Sequence, residues 1–183
     1  MAKRKTKDPT WSDLKKVISD LEHNERLQLV RDLYQLSKTN KEFLHARFLI
    51  GDDPLKPYKD TIKDCMYPNV IRDKPFRISR AKRAISEYSK AVDDVKGEAE
   101  LMVFFVECGN RFTVECGDID ANFYDSLTLM YDKAIEKILS LKDNDQVQFK
   151  NRLKQIMDSS SGIGWGYHDE LCDLYYDAFG ADE

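Results

Sequence analysis

Three charged side chains, Glu100, Glu107 and Arg111, interrupt the most apolar run of the chain, residues 98–117. On a helix that turns about 100° per residue, the three fall within roughly 40° of one another. Glu107 and Arg111 are four residues apart with the acid first, which is the better order for an ion pair within one helix. The spacing therefore predicts one narrow charged strip on an otherwise apolar helix.

Two carboxylates on one strip could do chemistry if a second segment supplied partners. Residues 162–170, GIGWGYHDE, contain Tyr167, His168 and Asp169, and a cleft between the two segments could hold a divalent cation or serve acid–base catalysis. The alternative is a solvent-facing strip with one structural ion pair. Helical di-metal proteins use Glu-x-x-His, and no glutamate here is followed by histidine at that spacing. This argues against a ferritin-like site. We predict no metal site and no cofactor, with a metal-dependent enzyme using the Glu/His cleft kept as an alternative.

The segment GIGWGYHDE could itself bind a ligand, because glycines allow close approach while Trp165 and His168 can stack and donate hydrogen bonds. Tyr167 is a further binding candidate in the same segment. Phosphate-binding glycine loops need a preceding strand with a lysine or a GxGxxG spacing, and neither is present. The alternative is that the glycines form a turn, Trp165 fills the core, and Asp169 and Glu170 favour a helix N-terminus.

Charge is distributed unevenly along the chain, although the formal net charge is only −4. Residues 158–183 contain several acids and no lysine or arginine, whereas residues 72–90 are basic through Arg72, Lys74, Arg77, Arg80, Lys82, Arg83 and Lys90. The basic segment could follow nucleic-acid phosphates together with the lysine-rich N-terminus. Net acidity favours instead its pairing with the acidic segment of the same or a neighbouring chain, or with a protein partner.

Localisation follows from two features of the sequence. Cys65, Cys108, Cys116 and Cys172 form no CxxC pair and no disulfide framework, which indicates buried, reduced thiols in the cytosol. The basic start MAKRKTKDP is not followed by an apolar stretch, so we expect no signal peptide. Ionisable groups between Glu98 and Arg111 make a membrane span in the apolar run costly.

The central segment must be a helix for the charged strip to exist. Leu101, Phe104, Phe105, Cys108 and Phe112 follow helical spacing, and apolar residues cover most of the remaining surface, as expected of a helix inside a bundle. The alternative is a β-hairpin, because VFFVE and RFTVE are rich in β-formers around a turn-like Gly109-Asn110. We favour the helix, since both flanking segments are also helical in pattern.

The rest of the chain predicts an all-α fold, a single bundle or superhelix of eight or nine helices around residues 98–117. We expect a basic tail over residues 1–9, an N-terminal helical subdomain over 10–66, a connector over 67–77, and a C-terminal bundle over 78–180 that forms one domain with 10–66. In the first subdomain, Leu14, Val17, Ile18 and Leu21 form one stripe, and a second helix is expected to bury Leu27, Val30, Leu33 and Tyr34.

Two blocks, VECGNRFTVECGDIDANFYDSL and GWGYHDEL, resemble a bacterial, all-helical family known as a domain of unknown function, and LxxVIxxLxxxERLxLVRDLY near the N-terminus is compatible with it. The resemblance implies a helical fold and an intracellular setting, and no activity. We therefore predict a cytosolic, non-catalytic protein-interaction or scaffold module that binds a protein partner or itself. An enzyme using Glu100, Glu107 and His168 and a nucleic-acid accessory protein using residues 72–90 are the alternatives.

Overall fold

A computed structural model describes residues 8–69 and 75–180, and the described residues form nine α-helices without a strand. The helices are α1 (Trp11–Asp20), α2 (His23–Leu36), α3 (Lys38–Arg47), α4 (Lys56–Met66), α5 (Ile78–Ala91), α6 (Val95–Cys116), α7 (Ala121–Leu139), α8 (Asp143–Ser159) and α9 (Tyr167–Phe179). The predicted all-α class is confirmed. In the part of the chain described, no helix has the length and apolarity to cross a membrane.

The central segment is a continuous helix, so the β-hairpin alternative is wrong. α6 begins after Asp94, whose side chain accepts a hydrogen bond from the Gly97 amide at 3.0 Å, and it ends at Gly117, whose φ is 105°. The helix continues through Gly109 without a break. A Cβ atom at this position would overlap the side chain of Leu127 on α7. The smallest residue therefore lets α7 approach rather than making a turn.

α6 is the shared packing partner of α4, α5, α7 and α8, while α9 packs on α7 and α8. Each neighbouring helix turns one apolar stripe inward, as the periodicity predicts. The buried stripes include Tyr58 and Ile62 of α4, Ala84 and Ile85 of α5, Leu127 and Tyr131 of α7, Phe149 and Leu153 of α8, and Leu171 and Tyr175 of α9.

The chain divides into two units, Met1–Leu44 and His45–Glu183, and α6 lies in the second. Residues 70–74 of the predicted connector are outside the described residues, as is most of the predicted basic tail, so that domain division stays a prediction. Arg72 and Lys74 of the basic segment also fall outside the described residues.

The first unit departs from the predicted burial. α1 and α2 contain no buried residue, and the stripe residues Leu27, Val30 and Leu33, which we expected to be covered, are exposed. The periodicity identified the apolar face correctly, but a three-helix segment of this length provides too little apolar surface to enclose it.

Candidate functional site

The charged strip of α6 meets cations from two other helices. Arg152 of α8 binds Glu107 with both arms of its guanidinium, through Nε to Oε1 at 2.7 Å and Nη2 to Oε2 at 2.8 Å. Its remaining nitrogen, Nη1, donates to Glu100. Lys59 of α4 binds the other oxygen of Glu100 at 2.7 Å. Glu100, Glu107, Arg152 and Lys59, which we call the charged seam, therefore join α4, α6 and α8.

The charged seam is partly shielded from water, and this makes its pairing strong. Burial alone raises the pKa of Glu100, but the hydrogen bonds from Arg152 and Lys59 outweigh it and hold that pKa below its ordinary value. Burial likewise disfavours the charged form of Arg152, and its bonds to Glu107 and Glu100 reverse the effect, so its pKa is raised. Glu100 is therefore held in its ionised form, and both carboxylates are bound by cations of neighbouring helices, which suits them to holding helices together.

Arg111 does not join the charged seam, contrary to the pair expected with Glu107. Its Nε binds Glu115, one turn further along α6, at 2.6 Å, and its guanidinium lies 5.4 Å from the centre of the Tyr67 ring. The Tyr67 hydroxyl donates to the same carboxylate. Arg111 is displaced from Glu107 because the bidentate fork of Arg152 offers that carboxylate a better partner.

A shallow groove of about 260 Å³ lies beside the charged seam, and Glu107, Arg111 and Arg152 are among the residues that line it. Asn110, only 4% exposed, also lines the groove. Its Nδ2 donates to Ser159 Oγ at 2.8 Å, while its Oδ1 has no partner. His168 is not among the lining residues, so the expected cleft combining Glu107, Arg111 and His168 is not formed by this groove.

His168 belongs instead to a small cluster with Ser160 and Cys172. Its Nδ1 lies 2.9 Å from Ser160 Oγ and 3.1 Å from the Met157 carbonyl oxygen, and its Nε2 lies 3.6 Å from Cys172 Sγ. Burial raises the pKa of the Cys172 thiol, and Asp169 and neighbouring acids raise it further. The ring of His168 therefore connects the first turn of α9 to Ser160, at the end of α8, and to Cys172, one turn further along α9.

The glycine-rich loop before α9 presents Trp165 to solvent. Trp165 is 58% exposed, so the interpretation that it fills the core is wrong. Its indole Nε1 donates to Asp118 at 3.0 Å, and Asp118 also accepts from the Tyr124 hydroxyl at 2.6 Å. These two bonds lower the pKa of Asp118. The backbone of Trp165 has a φ of 65°, a value that residues other than glycine rarely adopt.

Tyr167 fills the core in place of Trp165. It is fully buried, and its ring packs on that of Tyr124 with centroids 5.1 Å apart. It is therefore not available to a ligand, whereas Asp169, predicted beside it, is exposed in the first turn of α9.

The basic segment is divided by its contacts within the protein. Arg77 binds Asp64 of α4, and Arg83 pairs with Glu87 of α5 at 2.9 Å. Arg80 is exposed, and Lys82 is half-buried beside α7. Residues 75–90 therefore do not form one continuous cationic face, because Arg77 and Arg83 are paired with acids of the same chain.

No metal centre is indicated by these positions. Across residues 8–69 and 75–180, no three His, Cys, Asp or Glu side chains are grouped as metal binding requires. The two carboxylates that could have contributed, Glu100 and Glu107, have their oxygens taken by Lys59 and Arg152.

A family model described as a family of unknown function, DUF6155, matches residues 10–180, which is nearly the whole chain. The chain belongs to this family. The predicted resemblance to a family without assigned function is thereby confirmed. Comparison with curated proteins and comparison with solved structures each gave no match.

In this DUF6155 member, the two sequence blocks quoted above, residues 106–127 and 164–171, contact each other. Asp118 and Tyr124 come from the first block, and Trp165 and Tyr167 from the second. The bond from Trp165 to Asp118 and the ring contact between Tyr124 and Tyr167 join them beside a polar pocket of about 380 Å³. The blocks therefore build one local structure, the junction of α6, α7 and α9.

The two cations of the charged seam, Arg152 and Lys59, were not among the predicted site residues, although the sequence contains a signal for each. Arg152 is three residues after Phe149 and four before Ile156, which places it on the inward face of α8. Lys59 is likewise four residues after Leu55 and three before Ile62 on α4. A cation on the apolar face of a helix needs an acidic partner in the interior, and Glu100 and Glu107 on α6 were available for this.

Proposed function

We propose that this DUF6155 member is a cytosolic, non-catalytic protein-interaction module whose first unit binds a protein partner through the apolar faces of α1 and α2. One observation supports the proposal: α1 and α2 contain no buried residue, and several of their large apolar side chains are exposed to solvent. These side chains are Trp11, Leu14 and Val17 on α1 and Leu27, Val30, Leu33 and Leu36 on α2.

The exposed residues are arranged as a binding face would be. On α1 they recur every three residues, and on α2 they occupy one half of the helix while Arg31, Asp32 and Gln35 occupy the other. Scattered apolar residues are ordinary on a protein surface, but contiguous stripes of this kind mark interaction sites. An amphipathic helix or groove of a partner would cover them, in the manner of helix-in-groove recognition.

The enzyme alternative receives less support from the described geometry. Glu100 and Glu107 are neutralised by Lys59 and Arg152, and His168 contacts Ser160 and Cys172 rather than either carboxylate. The nucleic-acid alternative is weakened because Arg77 and Arg83 are paired with acids of the same chain.

Site-specific photo-crosslinking in cells tests the proposal directly. A photoreactive amino acid at Leu33, in the full chain, is expected to crosslink to a second polypeptide, which is either a different protein or another copy of this chain. The same amino acid at Gln35, on the polar half of α2, is the matched control and should give little crosslinking. Crosslinks from Leu33 only to residues 45–180 of the same chain would overturn the proposal.

A further inference from the structure

The packing of α5, α6 and α7 leaves a groove of about 290 Å³ that is separate from the charged seam. Its floor is apolar, formed by the buried side chains of Ile85, Met102 and Met130. Its rim carries Lys82, Lys90 and Lys133. Because Lys90 and Lys133 are exposed, the groove opens to solvent on its cationic side.

The three rim lysines differ from neighbouring cations such as Arg83 and Lys137, which are paired with acids. Within the described ranges, no carboxylate forms an ion pair with Lys82, Lys90 or Lys133. Glu98 also lines the groove, but Lys137 binds it at 2.9 Å. The groove therefore carries an uncompensated positive charge of three lysines above an apolar floor.

Burial and mutual repulsion disfavour the charged form of the rim lysines, and a bound anion would offset both effects. Lys82 is half-buried, and its pKa is lowered first by burial and then by the positive charge of Lys133 across the groove. A bound anion would reverse the second effect and compensate the first. Two serines on α5, Ser86 and Ser89, also line the groove and offer hydroxyl donors to the same ligand.

The dimensions and polarity of the groove select the class of ligand. At about 290 Å³ the groove lies just below the range of about 300–1,000 Å³ that is typical of small-molecule sites, so its size suits a compact ligand rather than a folded partner. An apolar floor beneath a cationic rim is complementary to a molecule with one apolar and one anionic end. We propose that the groove binds a small amphiphilic anion, with a carboxylate or phosphate head between Lys82 and Lys133 and its apolar body over Ile85, Met102 and Met130.

Calorimetric titration of the full chain with octanoate and with octyl phosphate, below their micelle concentrations, tests this inference. Either ligand should bind, and the tighter of the two identifies the head group. Octanol lacks the charge, and acetate and inorganic phosphate lack the apolar body, so each should bind more weakly. Affinity should also decrease as salt is added, because the rim charges are partly solvated.

Variants locate the binding. Lys82→Gln and Lys133→Gln should each lower octanoate affinity about fivefold, the loss of about 1 kcal/mol expected for a partly exposed charge contact. Lys63→Gln, which removes an exposed lysine of α4 outside the groove, is the matched control and should bind as the wild type does. Circular dichroism verifies that the variants are folded. Unchanged affinity in both groove variants, or octanol binding as tightly as octanoate, would overturn the inference.

Discussion

Arg152 is the side chain on which the charged seam depends. It is 25% exposed, it satisfies both oxygens of Glu107, and it shares Glu100 with Lys59. Without it, two carboxylates on the same face of α6 would be left with one lysine between them. Removing one partner from a shielded network costs more than the network contributes when intact, because the remaining charges lose their compensation.

We therefore expect Arg152→Gln to lower the free energy of unfolding by about 2–4 kcal/mol, below the upper range for fully buried pairs because the site retains some contact with water. Urea denaturation followed by circular dichroism measures the change. The control is Arg111→Gln, which removes an arginine of α6 that pairs with Glu115 at the surface, and it should cause a clearly smaller loss. Equal losses in the two variants would mean that the seam behaves like a surface ion pair.

At the scale of single helices, the N-terminus of α6 is fixed by a compact set of contacts. Asp94 accepts from the Gly97 amide at 3.0 Å and also from the Tyr88 hydroxyl at 2.8 Å. Gly97 is buried between these two groups, and a Cβ atom there would overlap both. The glycine thus permits the end of α5 and the start of α6 to share one carboxylate.

Gly97→Ala should therefore destabilise the protein by about 1–3 kcal/mol, since the overlap and the weakened cap exceed the gain of about 1 kcal/mol that alanine brings to a helix. Thermal unfolding measures the effect. Gly164→Ala is the control: an added Cβ there meets no atom within 4 Å, so stability should not change. A Gly97→Ala variant as stable as the wild type would show that Asp94 and Tyr88 can rearrange without loss.

Helical periodicity predicted the helices and their apolar faces, but it did not predict which side chains meet in the folded protein. The inward stripes of α5, α7, α8 and α9 were readable because apolar spacing is local to each helix. α6 begins at Val95, before the apolar run itself, because its start is determined by the cap at Asp94. Arg152 was readable as an inward-facing cation of α8, but the carboxylate that it binds was not, because tertiary packing brings it to Glu107. The contact of His168 with Ser160 likewise depends on tertiary packing. Equally, the stripes of α1 and α2 were visible in the sequence, but their exposure was not, because it depends on what packs against each helix.

For the whole molecule, the contrast between the two units predicts unequal local stability. Helices without buried side chains open at little free-energy cost, whereas a helix packed on four others opens only when the protein unfolds. In hydrogen exchange of the purified chain, amides of α1 and α2 should exchange much faster than those of α6.

Addition of a partner identified by crosslinking provides the complementary measurement. It should slow exchange in α1 and α2 and leave α6 unchanged. Equal protection of α1 and α6 in the purified chain would contradict this expectation, because it would mean that the first unit already has its apolar faces covered.

The positions of the thiols on the central helix have one further consequence. Cys116, at the last turn of α6, is exposed, while Cys108 lies two turns earlier inside the core, where burial raises its pKa to about 12. Alkylating reagents react with the ionised and accessible form. On the same helix, we expect the Cys116 thiol to be alkylated rapidly and the Cys108 thiol to be alkylated only after the surrounding helices separate. The rate of alkylation of Cys108, compared with that of Cys116, therefore reports the rate at which the core opens.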